Sequence, residues 1–119
     1  SRNDVLWLQG LSRRVHVDES LLHYIVQIVH ATRHAGDYLP QEQARYLEYG
    51  ASPRATIAFV EAACANALMH GRDHVIPDDV RAMRHMILRH RLILTFEAVA
   101  TQVPVEEIID GIFGAVPTP

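Results

Sequence analysis

One cysteine in 119 residues removes an internal disulfide from the outset. Cys64 has nothing to bridge to, and no CxxC metal or redox pair can exist. A lone thiol fits a reducing, cytoplasmic setting. Charge of either sign is not in excess: eleven Lys+Arg against fourteen Asp+Glu leave a formal net charge of −3. Such a chain has no general attraction for nucleic acid or for an anionic membrane. No apolar stretch approaches membrane-spanning length, and the N-terminus lacks the charged-then-apolar form of a signal peptide. Internal repeats and low-complexity segments are missing too.

What remains is a folding sequence, 49% hydrophobic, with enough chain for one domain and too little for two. The start at Ser1 reads as the edge of a piece from a longer protein. Helical spacing dominates. Asp4 is placed to cap a short helix carrying Leu8, Leu11 and Val15, and Val15–Asp18 reads as a break. Leu21, Ile25, Ile28 and Thr32 then form a stripe that predicts a helix from Glu19 to about His34. Residues 35–52 hold Gly36, Pro40 and Gly50 and read mostly as loop, with a helical turn within Gln41–Tyr49. An alanine-rich helix follows from Pro53 to about His70, with Ile57, Val60, Cys64 and Ala67 or Leu68 on its inner face. Gly71 is its stop. Pro77-Asp78-Asp79 opens a fourth helix with Val80, Met83 and Ile87 inward, though Ile76 stands where a capping Ser or Thr is expected. A last helix carries Val105, Ile108, Ile109 and Ile112. Val75-Ile76 and Leu92-Ile93-Leu94 are short strand candidates. The fold class is mainly α, a small helical bundle with one short two-stranded β element as a further candidate.

The most informative stretch is Gly50-Ala51-Ser52-Pro53-Arg54-Ala55. Ser52 suits an N-cap and Pro53 the first helical position, where a missing N–H costs nothing. Arg54 then sets a cation at the positive end of the helix dipole, where an acidic residue is the ordinary choice. Helix N-termini attract anions, so this arginine makes most sense if a phosphate joins it. The plainer alternative is a solvated arginine paired locally, with Glu48 the nearest candidate in sequence.

Five pieces in order resemble the C-terminal lid of a MoxR-type AAA+ ATPase. They are Tyr24-Ile25-Val26 with Thr32-Arg33, the hexapeptide above, Gly71-Arg72-Asp73-His74-Val75, Pro77-Asp78-Asp79-Val80, and Leu88-Arg89-His90-Arg91-Leu92. Together they span about residues 20 to 95. The resemblance implies that residues 1–119 are one helical lid belonging to a longer ATPase whose P-loop core lies upstream. It matches Arg54 to the sensor-2 arginine, the residue that reaches the γ-phosphate of ATP from the lid side and couples nucleotide state to lid movement. It further implies ATP and Mg²⁺ in the parent protein and a chaperone-like role. The implied partners are the protein's own upstream core, neighbouring subunits of a hexamer and a protein with a von Willebrand factor A domain. Nucleic acid and membrane are not among them. The sequence itself holds no Gly-x-x-x-x-Gly-Lys-Ser/Thr loop, so it is not expected to hydrolyse ATP alone.

Other residues carry weaker signals. His30 and His34 are four apart, but no Glu follows His30, and no metal site is expected. Cys64 lies mid-helix with no cation to activate it. Arg33 is open to two readings, a contact with the core or a neighbouring subunit, or a surface arginine at a helix end. Arg81, Arg84, Arg89 and Arg91 form a basic cluster, either a solvated face or a subunit contact. A rival class uses the same helices. A long alanine-rich helix, a short strand and Pro-Asp-Asp-Val resemble the second half of a histone fold, an interaction module with no nucleotide role, although no dense basic surface accompanies them.

Overall fold

The computed structural model describes residues 15–119, so the helix expected after Asp4 lies outside the described residues. Helix α1 runs Glu19–Arg33. Asp18 caps it, its carboxylate accepting the Ser20 N–H at 3.1 Å. The predicted stripe Leu21, Ile25, Ile28 and Thr32 is buried throughout. A 3-10 turn (Ala35–Asp37), a one-turn helix α2 (Gln41–Ala44) and strand β1 (Leu47–Tyr49) fill the stretch expected to be mostly loop.

Helix α3 spans Ala55–Met69. Its inner face is Ala55, Phe59, Ala63, Cys64 and Ala67, whereas Ile57 is 62% exposed. Cys64 and Ala67 are buried as expected, but the rest of the face is rotated from Ile57 and Val60 toward Phe59 and Ala63. The reason is compositional: α3 is apolar nearly all round, so its period points nowhere, and small side chains decide the face by allowing close approach. Its C-terminus closes in a Schellman motif, with Gly71 at φ 74°, the Arg72 N–H on the Ala67 carbonyl at 2.9 Å and the Gly71 N–H on the Leu68 carbonyl at 2.9 Å.

The predicted fourth helix is two pieces, α4 (Pro77–Ala82) and α5 (Arg84–Leu88), interrupted at Met83. Strand β2 (Ile93–Leu94) pairs antiparallel with β1, Leu47 opposite Leu94 and Tyr49 opposite Ile93, with an irregularity between the two pairs. Val75 is not part of that ribbon. It flanks a single bridge in which the chain before α1 lies parallel to the α3–α4 connection, the Val75 N–H donating to the His16 carbonyl at 2.9 Å.

Helix α6 (Phe96–Ala100), capped by the Thr95 hydroxyl on the Ala98 N–H at 3.2 Å, has no counterpart in the sequence reading. Helix α7 (Val105–Ala115) buries Ile108, Ile109 and Ile112 as expected, and Phe113 besides. α1, α3 and α7 meet at an aromatic centre. There Phe113 stands edge-on to Tyr24 at 6.3 Å and lies 6.2 Å from Phe59. Each such buried side chain contributes about 2 kcal/mol of transfer free energy. The mainly α class with one short two-stranded element is the observed architecture.

Candidate functional site

The loop from Gly50 to Arg54 is seated on the last turn of α1. Thr32 is wholly buried there. Its hydroxyl donates to the Val29 carbonyl at 2.6 Å and accepts the Ala51 N–H at 2.9 Å. A Cβ on Gly50 would overlap the Thr32 carbonyl, so only glycine allows the loop this close. The Thr32-Arg33 and Gly50-Ala51-Ser52 segments, eighteen positions apart in sequence, are thereby fixed against one another.

The start of α3 differs in detail from the expectation. Pro53 and Arg54 form a turn, the helix begins at Ala55, and Arg54 takes the cap position with helical angles (φ −62°, ψ −21°). Ser52 contributes its carbonyl, which accepts the Ala55 N–H at 2.9 Å. Its side chain makes no capping hydrogen bond. The Thr56 and Ile57 N–H groups likewise fold back on Pro53 and Arg54 carbonyls at 3.1 Å. The amides of this turn are thus largely spent on their own backbone. Whatever attraction for an anion this end of the helix has must come mainly from the guanidinium of Arg54, which is exposed.

A groove of about 330 Å³ lies beside the loop, lined by Arg33, Glu48, Tyr49, Gly50, Ala51 and Ser52. Among the described residues neither Arg33 nor Arg54 has a hydrogen-bond or ion-pair partner for its side chain, and Arg54 does not pair with Glu48. The other arginines of residues 15–119 are engaged. Arg45 bonds the Tyr46 hydroxyl and lies 3.9 Å from Glu97. Arg84 donates to Asp110 at 2.8 Å and Arg89 to Glu106 at 2.7 Å. Arg81 reaches Asp78 and Thr118, and Arg91 the Ile87 carbonyl. The basic cluster is therefore neither a bare solvated face nor a free basic surface. Arg84 and Arg89 bind α5 to the acidic side of α7, and His85 adds a third contact, 2.7 Å from Asp110.

Arg72 is held differently. Asp79, wholly buried at the start of α4, accepts from Arg72, from the Asn66 amide at 2.8 Å and from the Ile76 N–H at 2.8 Å. Asp79 thus caps α4 from inside the helix and supplies what Ile76 cannot. The sequence signal was present in the spacing, an acidic residue three positions after the cap, but its burial and its Arg72 partner were not visible.

The remaining candidates are locally occupied. His30 and His34 stack at 4.1 Å, and His30 Nδ1 lies 3.2 Å from the Tyr38 hydroxyl. No group of three or more His, Cys, Asp or Glu among the described residues could hold a metal ion. Burial pushes the Cys64 thiol above its ordinary range, with Asp79 and Glu61 adding to the effect, which suits packing and not nucleophilic attack.

The model of one family, the AAA lid domain, matches residues 40–112, from the turn before α2 into α7. The chain belongs to the AAA lid domain family. Its similarity to named proteins runs over the whole chain and is of the MoxR type. It is 37% identical over 119 residues to chaperone MoxR1 of Mycobacterium tuberculosis, covering 100% of this chain and 32% of that protein. Protein MoxR of Paracoccus denitrificans is 33% identical over 116 residues, covering 92% of this chain and 34% of that protein. A crystal structure from Cytophaga hutchinsonii, of a protein assigned as an ATPase, superposes with a TM-score of 0.92 at 39% identity, over 100% of this chain and 36% of that one. This lid spans about a third of the length of the relatives it matches.

Within the lid, the first four quoted pieces contact one another in pairs, and the fifth contacts the last helix. Thr32-Arg33 seats Gly50-Ala51-Ser52, and Arg72 of the third piece clasps Asp79 of the fourth. Arg89 of the fifth reaches Glu106 on α7.

Proposed function

We propose that this lid belongs to an ATP-hydrolysing, chaperone-like MoxR protein, and that Arg54 is the lid's contact with the γ-phosphate. The observation that carries this is an exposed guanidinium with no partner among the described residues, on a loop locked against α1, in a chain whose other described arginines, Arg33 apart, are all engaged. An arginine stays charged at every working pH and offers a planar fork that matches phosphate oxygens. Phosphoryl transfer is catalysed largely by position and charge, so one such donor can govern the rate. Residues 1–119 act in this reading as one lid domain. The phosphate loop, and the ligands for the Mg²⁺ that would neutralise phosphate charge, come from a core elsewhere in the longer protein.

The contact with Arg54 would exist with ATP and be lost after hydrolysis, so lid position would report nucleotide state. A cytoplasmic ring, hexameric as in the resemblance, with a von Willebrand factor A domain protein as co-worker, completes the proposal. No helix among the described residues is long and apolar enough to cross a membrane. The histone-like reading loses its main support, because the family match covers the same helices.

The test is Arg54→Met in the full-length protein. ATP turnover should fall roughly 100- to 1,000-fold, the cost of removing one transition-state donor, with the melting temperature unchanged. Wild-type turnover in that variant would overturn the assignment.

A further inference from the structure

Every one of the eleven cationic side chains in this sequence is arginine. Of the eight in residues 15–119, six are held by the partners given above. The remaining two, Arg33 and Arg54, stand at the two ends of one structural unit. Arg33 closes α1, Arg54 opens α3, and the loop between them is bonded to Thr32, the residue before Arg33. That seat leaves no room for even a methyl group at Gly50, so Arg33 and the loop keep a fixed register.

We propose that Arg33 is a second cationic contact for the phosphates of a nucleoside triphosphate, with the groove of Glu48, Tyr49 and Ser52 receiving part of the same ligand. This rests on the reading of Arg54 as a nucleotide contact. Three features of the groove support it. Its one guanidinium has no partner among the described residues, although a carboxylate, Glu48, lines the same 330 Å³ space. A groove with one cation and one anion suits a ligand that carries both oxyanions and hydroxyl donors, as a nucleotide does. Tyr49, 63% exposed on β1, adds a flat apolar surface beside them. Glu48 also gives the proposal a sign, since a carboxylate near a polyphosphate must weaken its binding.

Equilibrium titration of the full-length protein with a fluorescent ATP analogue tests this, with thermal melting of each variant alongside. Arg33→Gln should weaken binding roughly tenfold, the loss of a charge-assisted hydrogen bond at an accessible site. Arg33→Lys should restore part of it, and Glu48→Gln should tighten it. Melting temperatures should stay at the wild-type value. If Arg33→Gln binds as wild type while Arg54→Met has lost turnover, this proposal fails and the Arg54 reading stands. If Arg54→Met keeps full turnover, the nucleotide reading itself fails, and with it the basis for assigning Arg33. Weakened binding that appears only with a fall in melting temperature makes Arg33 structural, which also overturns the proposal. Unchanged or weaker binding in Glu48→Gln removes the groove from the site.

Discussion

Two arginine-bearing regions of this lid use the same side chain in opposite ways. At the α3–α4 junction Arg72 meets a carboxylate with no exposure, and Asp79 accepts from Asn66 and Ile76 as well. At the α1–α3 rim Arg33 and Arg54 are exposed and have no side-chain partner among the described residues. The first region makes a network in which Arg72, the Asn66 amide and the Ile76 N–H all donate to one buried carboxylate, while the Arg72 Nε–H is left without an acceptor. The second orders its backbone tightly, through Thr32 and Gly50, and leaves the cations open. Arg72 is tied to a buried internal carboxylate and bears on stability, whereas Arg33 and Arg54 stand on an ordered backbone with no acceptor among the described residues.

The largest effect should come from breaking the closed network. Asp79→Ala leaves Arg72 part-buried without its counter-charge and frees the Asn66 amide and the Ile76 N–H. Removing one partner of a buried pair costs about 3–5 kcal/mol, and chemical denaturation should show a loss of that order. Arg54→Met and Arg33→Gln should each stay within about 0.5 kcal/mol of wild type in the same assay, as exposed substitutions do. A small loss at Asp79, or a large one at either rim arginine, would break the contrast.

Gly50→Ala probes the one place where the rim depends on tight packing. The added methyl group meets the Thr32 backbone, which cannot rotate away as a side chain could. Overpacking of this kind costs about 1–3 kcal/mol. The loop should also lift from α1, lengthening or breaking the bond from Ala51 N–H to Thr32 Oγ1, observable as faster amide exchange at Ala51. Wild-type stability together with wild-type exchange would mean that the rim is not held by this contact.

The contrast also shows what the sequence could and could not reveal. α1 was legible from its apolar stripe alone, and the Asp18 cap and basic last turn in the structure agree with it. The inner face of α3 was not, because an alanine-rich helix that is apolar all round has no directional period, and Phe59 and Ala63 were chosen by their neighbours. β1 was hidden because it is three residues long and finds its partner 47 positions away, Leu47 against Leu94. α6 lacked a stop signal: its left-handed closing residue is Gln102 (φ 58°), where glycine or asparagine is the usual mark. At the site, Arg54 stood out because its charge opposes the helix dipole. Arg33 did not, since a cation at the end of α1 is what the dipole favours, and only the groove beside it and the lack of a partner among the described residues distinguish it.

The smallest expected effect lies between the two extremes, in the half-exposed contacts of α5 with α7. Asp110 accepts from Arg84 at 2.8 Å, and this bond, followed by the contact with His85, holds its carboxyl below the ordinary value of 3.8. A carboxyl depressed in the folded state stabilises the fold above its unfolded value. That contribution fades as pH falls through the folded value. With both partners substantially in water, its size should be only a few tenths of a kcal/mol. Asp110→Asn should therefore be slightly less stable than wild type near neutral pH, and the difference should shrink to nothing in acid, where the wild-type carboxyl is also neutral. Parallel denaturation series at neutral and acidic pH measure both points. A deficit that persists unchanged in acid would mean that Asp110 acts by packing and hydrogen-bond shape. Its arginine would then belong with the buried Arg72 network and not midway between that network and the open rim.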